Sequence, residues 1–262
     1  MQTLVNFYKS RGFICTNSLA YTFLLAFIPF LIATASISDL LPFSNQLVVE
    51  VQTYFFSRFL PQSGSQVYDL FKMSFSHSTR LSVLGILSLL ITTYGMMFAV
   101  EQHIHQMWYL KRQRSILKTI IIFSCFLVCG PLLTYSVAYI YELLYIYFEL
   151  AWVENAVSDF LSVIITVTSF IFVYKYIPNK KVKWRHASAS GIIAGVLFSI
   201  LRWLLAISMG NLQENYSLLY GSLATLPIFM LWIYLSCLIF LYCAQIIYVA
   251  EIKYDLKDKE SD

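Results

Sequence analysis

Apolar residues fall along this chain in long runs, and the charges collect in short stretches between them. A helix needs roughly 20 mainly apolar residues to cross a bilayer. On that measure the pattern predicts spans over 17–38, 81–100, 119–141, 160–177, 187–209 and 222–249. Between the first two lie residues 39–80, too polar to span. Within them Leu47, Val48, Val51, Phe55 and Phe59 recur at helical spacing, with Glu50, Gln52 and Ser57 elsewhere around the wheel. This predicts an amphipathic helix that lies on the membrane surface or caps the bundle. Val67, Leu70, Phe71 and Phe75 predict a second, shorter one. The expected architecture is an all-α integral membrane protein, a single membrane domain over 1–262. It is a bundle of six transmembrane helices with an amphipathic helical segment in the first outer loop.

Composition makes the membrane a requirement. Of 262 residues, 59% are hydrophobic and 12% charged, about half the share of charge that a soluble domain uses on its surface. Tyrosine is abundant, with 19 residues, and suits the membrane boundary because its ring is apolar and its hydroxyl seeks water. Residues Lys9 to Ala35 imitate a cleavable signal, with a basic start, an apolar stretch and Ala33-Thr34-Ala35. The run from Asn17 to Ser38 is long enough to span and further spans follow, so an uncleaved first helix is expected. Cys15, Cys125, Cys129, Cys237 and Cys243 fall in or beside apolar runs without a CxxC pair, which predicts reduced thiols.

The net charge of +4 matters less than its placement. Lys and Arg near helix ends are retained on the cytoplasmic side, whereas acids contribute little. With the N-terminus inside, the inner segments hold Lys9, Arg11, the Lys111 to Lys118 group, the Lys175 to Arg185 group, Lys253, Lys257 and Lys259. The outer ones hold Arg58, Lys72 and Arg80, beside Glu142, Glu149, Glu154, Asp159 and Glu214. Both termini are therefore expected in the cytoplasm. The basic loops are explained by orientation and call for no nucleic acid.

Helices in lipid associate through small residues and hydrogen bonds, and two spans carry continuous small faces. The second reads Gly85, Ser88, Thr92, Gly95, Ala99, and the fifth reads Ser188, Gly191, Gly195, Ser199, Arg202. Each face is either a packing seam or the wall of a groove. Arg202 stands out, because a guanidinium within a span costs at least about 2.5–3.5 kcal/mol on insertion scales. It lies roughly 10 Å below the outer end of its span, at 1.5 Å per residue. Three readings are open: it snorkels outward, it meets an anion or lipid phosphate, or it pairs with Asp39, Glu142 or Asp159. Asn17 and Tyr21 lie one turn apart on the first span. Pro29 there, like Pro131 and Pro227 in the third and sixth spans, removes a backbone donor and bends its helix, as helices lining transport sites often bend. The candidate substrate-binding set is Arg202, Ser199, Gly195, Asn17, Tyr21 and Thr92. Gly85, Gly95, Gly191, Pro29 and Pro227 are candidates for packing or hinge roles, and Gln245 reads as a packing hydrogen bond.

Glu101, His103 and His105 invite a metal or acid-base proposal, but His103 and His105, at i and i+2, diverge on a helix and lie at the boundary where polar residues are expected. His77 and His186 read as isolated boundary residues. The chain has no Walker loop, HExxH, GxSxG or dinucleotide fingerprint. No catalytic residue, metal or cofactor is expected, and the chain does not read as an enzyme.

Three stretches together resemble the YihY/BrkB family of bacterial inner-membrane proteins. Asn17 to Pro29, reading NSLAYTFLLAFIP, is similar to that family's first helix. Tyr220-Gly221-Ser222 through Trp232-Ile233-Tyr234 is similar to its last. Between them Trp108, Pro178, Trp184, Gly191 and Arg202-Trp203 occur in the family's order, and Gly221 and Trp232 join the packing or hinge set. Many members close the last helix with Gly-Ala-Glu, where this chain has Cys243-Ala244-Gln245, so proton coupling through an acid at that position is not implied here. The resemblance implies a multi-pass protein of the bacterial inner membrane. The family has also carried a ribonuclease label, which short loops without a metal cage do not support. It implies instead a transporter or flippase of a lipidic or amphipathic envelope component. The alternative is a non-transporting scaffold for envelope assembly. Expected partners are membrane lipids, including an anionic lipid or lipid-linked precursor, and a second copy or an envelope-assembly protein.

Overall fold

The computed structural model describes residues 2–40, 79–110, 115, 117–125, 154–180, 182–220 and 225–260. Most of the segment expected as an outer amphipathic helix, most of the third span and Gly221 lie outside these residues. Six helices are bounded within them: α1 (Gln2–Lys9), α2 (Gly12–Leu40), α3 (Thr79–Met107), α4 (Glu154–Tyr176), α5 (Trp184–Tyr220) and α6 (Thr225–Glu260). Residues 117–125 are also helical, and no strand occurs among the described residues. The result is an all-α helical bundle.

Two of its helices contain stretches of 24 residues long and apolar enough to cross a membrane, Trp184–Ile207 in α5 and Phe229–Ile252 in α6. Gly12–Ala26 and Ser162–Tyr176 are shorter apolar helical segments. The helices outrun the spans that apolarity predicts. At 1.5 Å per residue, α6 is about 54 Å long, well beyond the roughly 30 Å of a hydrocarbon core. A helix satisfies its own backbone, so it can continue from lipid into water without changing conformation.

Alpha-carbon packing divides the chain into two compact units. The first comprises Met1–Gly12, Glu101–Ser199 and Ile239–Asp262, and the second Phe13–Val100 and Ile200–Leu238. In the first, aromatic rings join α4, α5 and α6. Phe170 stacks on Tyr174 and Phe240 and meets Phe198 edge-on, at centroid distances of 5.9, 6.4 and 6.0 Å. The Tyr174 hydroxyl, wholly buried, donates to the carbonyl of Phe240 at 2.9 Å. Ser190 Oγ likewise donates to the carbonyl of Cys243 at 2.6 Å. In the second unit Phe229 stacks on Trp232 at 5.9 Å, and Leu201, Leu205, Ile233 and Cys237 are buried.

Hydroxyls in the apolar helices turn back on their own backbone. Thr22 donates to Ser18 O, Thr166 to Ser162 O, Ser199 to Gly195 O and Ser236 to Trp232 O, all at 2.8–2.9 Å. This satisfies a polar group where no water competes.

Ahead of these helices, α1 is a separate element. It ends through Ser10, whose N–H donates to Asn6 O, and Arg11, which takes the left-handed conformation at φ 57°. Phe7 turns inward, 1% exposed, and meets Tyr242 of α6 edge-on at 5.7 Å. Gly12 allows this: a Cβ there would stand 2.6 Å from the Phe7 ring.

Candidate functional site

The face of α5 that carries the small residues is packed against α4. A Cβ on Gly191 would collide with Ile171, whose backbone N lies 2.9 Å away, and one on Gly195 would collide with Val167, whose Cα lies 3.0 Å away. Residue numbers rise along α5 as they fall along α4, so the two helices run antiparallel. Ser190 and Ala194, one position before each glycine, are also buried, and Ser190 donates to the carbonyl of Cys243 in α6. Around the helix from them, Ile192, Ile193, Val196, Ile200, Trp203, Leu204 and Ile207 form a continuous exposed apolar stripe. A soluble protein does not leave such a stripe in water, whereas a bilayer is its natural solvent.

The sequence-predicted binding residues divide between the two units. Gly195 and Ser199 belong to the first unit, and Asn17, Tyr21, Thr92 and Arg202 to the second. Asn17 and Tyr21 are exposed on α2. Thr92 is half-buried on α3, and Arg202 is half-buried on α5 and has an interaction partner. Of the packing and hinge set, Gly95 is open, with nothing among the described residues within 4 Å of an added Cβ. Pro227 is exposed near the start of α6, and Trp232 is half-buried against Phe229. Pro29 and Gly85 lie inside α2 and α3.

A polar network lies in the first unit, between segments far apart in sequence. Glu251 of α6, 3% exposed, accepts from the backbone N–H of Lys183 at 2.8 Å and from His186 Nδ1 at 2.9 Å. Lys183 immediately precedes α5, so the carboxylate both caps an orphan amide and opposes the positive end of the helix dipole. His186 is therefore not the isolated boundary residue that its sequence context predicts; it is a partner of Glu251. Lys175 Nζ donates to the carbonyl of Val182 and stands 5.0 Å from the Trp184 ring centroid, which fixes the same turn.

At the end of α3, Glu101 Oε2 accepts from Thr119 Oγ1 at 2.9 Å, and His105 Nε2 accepts from the backbone N–H of Asn179 at 3.3 Å. His103 does point elsewhere, as an i and i+2 pair must. Its Nδ1 is buried without a hydrogen-bond partner among the described residues, and desolvation holds its pKa below the ordinary histidine value. Gln245 differs from the expected packing hydrogen bond: it is fully buried, and neither side-chain polar atom has a hydrogen-bond partner among the described residues. It stands on α6 between Tyr242, which meets Phe7, and Tyr248, which stacks on Trp108 at 5.9 Å. Among the described residues no group of three or more His, Cys, Asp or Glu is placed to hold a metal.

An all-helical chain with two membrane-length apolar helices and an outward apolar stripe is a membrane protein by class. It belongs to the family described as Virulence factor BrkB, whose model matches residues 3–262. A UPF0761 membrane protein of Psychrobacter sp. (strain PRwf-1) is 29% identical over 241 residues, covering 88% of this chain and 44% of that protein. Its counterpart in Pseudomonas aeruginosa (strain LESB58) is 29% identical over 232 residues, covering 87% and 56%. One from Pseudoalteromonas atlantica is 25% identical over 259 residues, covering 95% and 84%. The chain spans about half the length of the first of the curated relatives it matches. No solved structure matches it.

Proposed function

We propose that this protein moves a lipidic or amphipathic envelope component across the bacterial inner membrane, as a transporter or flippase, with both termini in the cytoplasm. One observation carries the reading: a guanidinium, Arg202, is kept inside the membrane-length stretch Trp184–Ile207, half-buried beside the exposed Trp203 and Leu204. A cation held at lipid depth is costly and marks a functional position, and an acidic headgroup whose tails follow the apolar stripe is proposed as a further partner beside the interaction Arg202 already makes. Ser199, one turn earlier on α5, and Asn17, Tyr21 and Thr92 are the polar groups proposed to accompany it. Gly195 does not extend this surface on its packed side, where Val167 closes on it.

The test is movement of a fluorescent anionic phospholipid across vesicles that contain the purified protein. Arg202→Ala is expected to abolish movement at unchanged protein level, and Arg202→Lys to keep part of it. Wild-type rates in the Ala variant remove Arg202 from the mechanism, and no movement with the wild type removes transport itself. The open face at Gly95 favours the scaffold reading, since a partner helix could approach there closely. That reading expects one protein to co-purify stably and to be lost on Gly95→Leu.

A further inference from the structure

We infer that Glu101 and His105 form a buried proton-binding site at the end of α3, and that the proton it takes breaks the hydrogen bond from the Asn179 N–H to His105. The inference goes beyond transport and does not depend on it. Each side chain is 8% exposed, and His105 Nε2 stands 3.8 Å from Glu101 Oε1. Among the described residues Glu101 has a donor for one oxygen: Oε2 receives the Thr119 hydroxyl, while Oε1 is buried without a hydrogen bond. A buried carboxylate oxygen in that state is expensive. The donor that could reach it after a small movement is Nε2, but there the site is in conflict with itself. Nε2 accepts the N–H of Asn179 at 3.3 Å, which requires a bare lone pair and places the imidazole proton on Nδ1.

One nitrogen therefore faces two demands with opposite proton requirements. Without a proton it holds Asn179, and Glu101 Oε1 goes unserved. With a proton it serves Glu101 Oε1 as an ion pair, and the Asn179 N–H loses its acceptor. The proton comes from solvent and ends on Nε2, and nothing else is transferred.

Among the described residues, the surrounding charged and titratable groups are engaged elsewhere or exposed. Lys118, beside Thr119, is exposed, and Lys180 is half-buried in the turn with a partner of its own. On α3 itself His103 diverges from the pair. On α6, Tyr248 is held against Trp108 and Tyr109, and Glu251 against Lys183 and His186. Asn179 lies in the short connection from α4 to α5, whose far end stays tied by Lys175 on Val182 and by Glu251 on Lys183. Protonation thus breaks the Asn179–His105 hydrogen bond and leaves the start of α5 in place.

Hydrogen exchange at Asn179, followed by mass spectrometry on the full chain in detergent and corrected for the intrinsic pH dependence of exchange, reads this directly. From pH 8 to pH 5 the wild type is expected to lose protection by about tenfold, the scale of one hydrogen bond. His105→Gln offers an amide oxygen that accepts at every pH, so its protection stays high and flat. Glu101→Gln removes the charge that favours the imidazolium, so the fall moves to lower pH by about one unit or more. A flat wild-type profile overturns the inference, whatever the variants do. So does an unchanged fall in His105→Gln, which would assign the titration to another group such as His186, or an unmoved midpoint in Glu101→Gln.

Discussion

Gly191 and Gly95 occupy stripes of the same grammar, small residues three and four apart, yet their surroundings are opposite. An alanine methyl at position 191 meets the Ile171 side chain and its backbone N at 2.9 Å, whereas at 95 it meets nothing within 4 Å among the described residues. Gly191→Ala is therefore expected to force α5 away from α4 and destabilise by about 1–3 kcal/mol, as overpacking does. Gly95→Ala is expected to be neutral or to stabilise by about 0.5–1 kcal/mol, because glycine is a poor helix former. Thermal melts of the two variants in one detergent check both signs, and equal melting points would contradict the packing. Spacing showed that both faces are smooth. It could not show which one a neighbour covers, because the neighbours of Gly191 and Gly195 are Ile171 and Val167 on another helix. The network around Glu251 was illegible for the same reason: nothing local to Glu251, His186 or Asn179 marks partners that lie 65 to 74 residues away.

Among the elements, α5 and α6 were the most legible, because long apolar runs leave a helix as the sole way to bury backbone polarity in lipid. Their ends were not legible from the same signal. The runs predicted 187–209 and 222–249, while the helices extend over Trp184–Tyr220 and Thr225–Glu260, since apolarity marks the lipid and not the helix. The first element went unread: residues before Asn17 look like a basic leader, yet α1 docks through Phe7. An eight-residue helix is marginal on its own, so its place depends on that one ring. Phe7→Ala removes a contribution of about 3–5 kcal/mol, more than so short a helix can replace. It is expected to detach α1 while the rest of the bundle melts as before. Trypsin cleavage at Lys9 and Arg11, both exposed, should then accelerate strongly, and an unchanged cleavage rate would show that α1 is held by something else.

At the scale of the whole molecule, the distribution of Lys and Arg sets the expected topology. Tyr8→Cys and Lys257→Cys, each in a chain whose native cysteines are replaced by alanine, should react with a membrane-impermeant thiol reagent only after cells are opened. Labelling of either in intact cells would invert the assignment. The same pattern of charge gives no information about how the chain reaches its final packing, but the Glu251 cap does. Lys183 is synthesised 68 residues before the carboxylate that receives its N–H. At roughly 5–20 residues per second of synthesis, that gap lasts about 3–14 seconds. For that interval a nascent α5 stands at the membrane with its leading amide uncapped, and the α4–α5 connection is completed only when the last helix arrives.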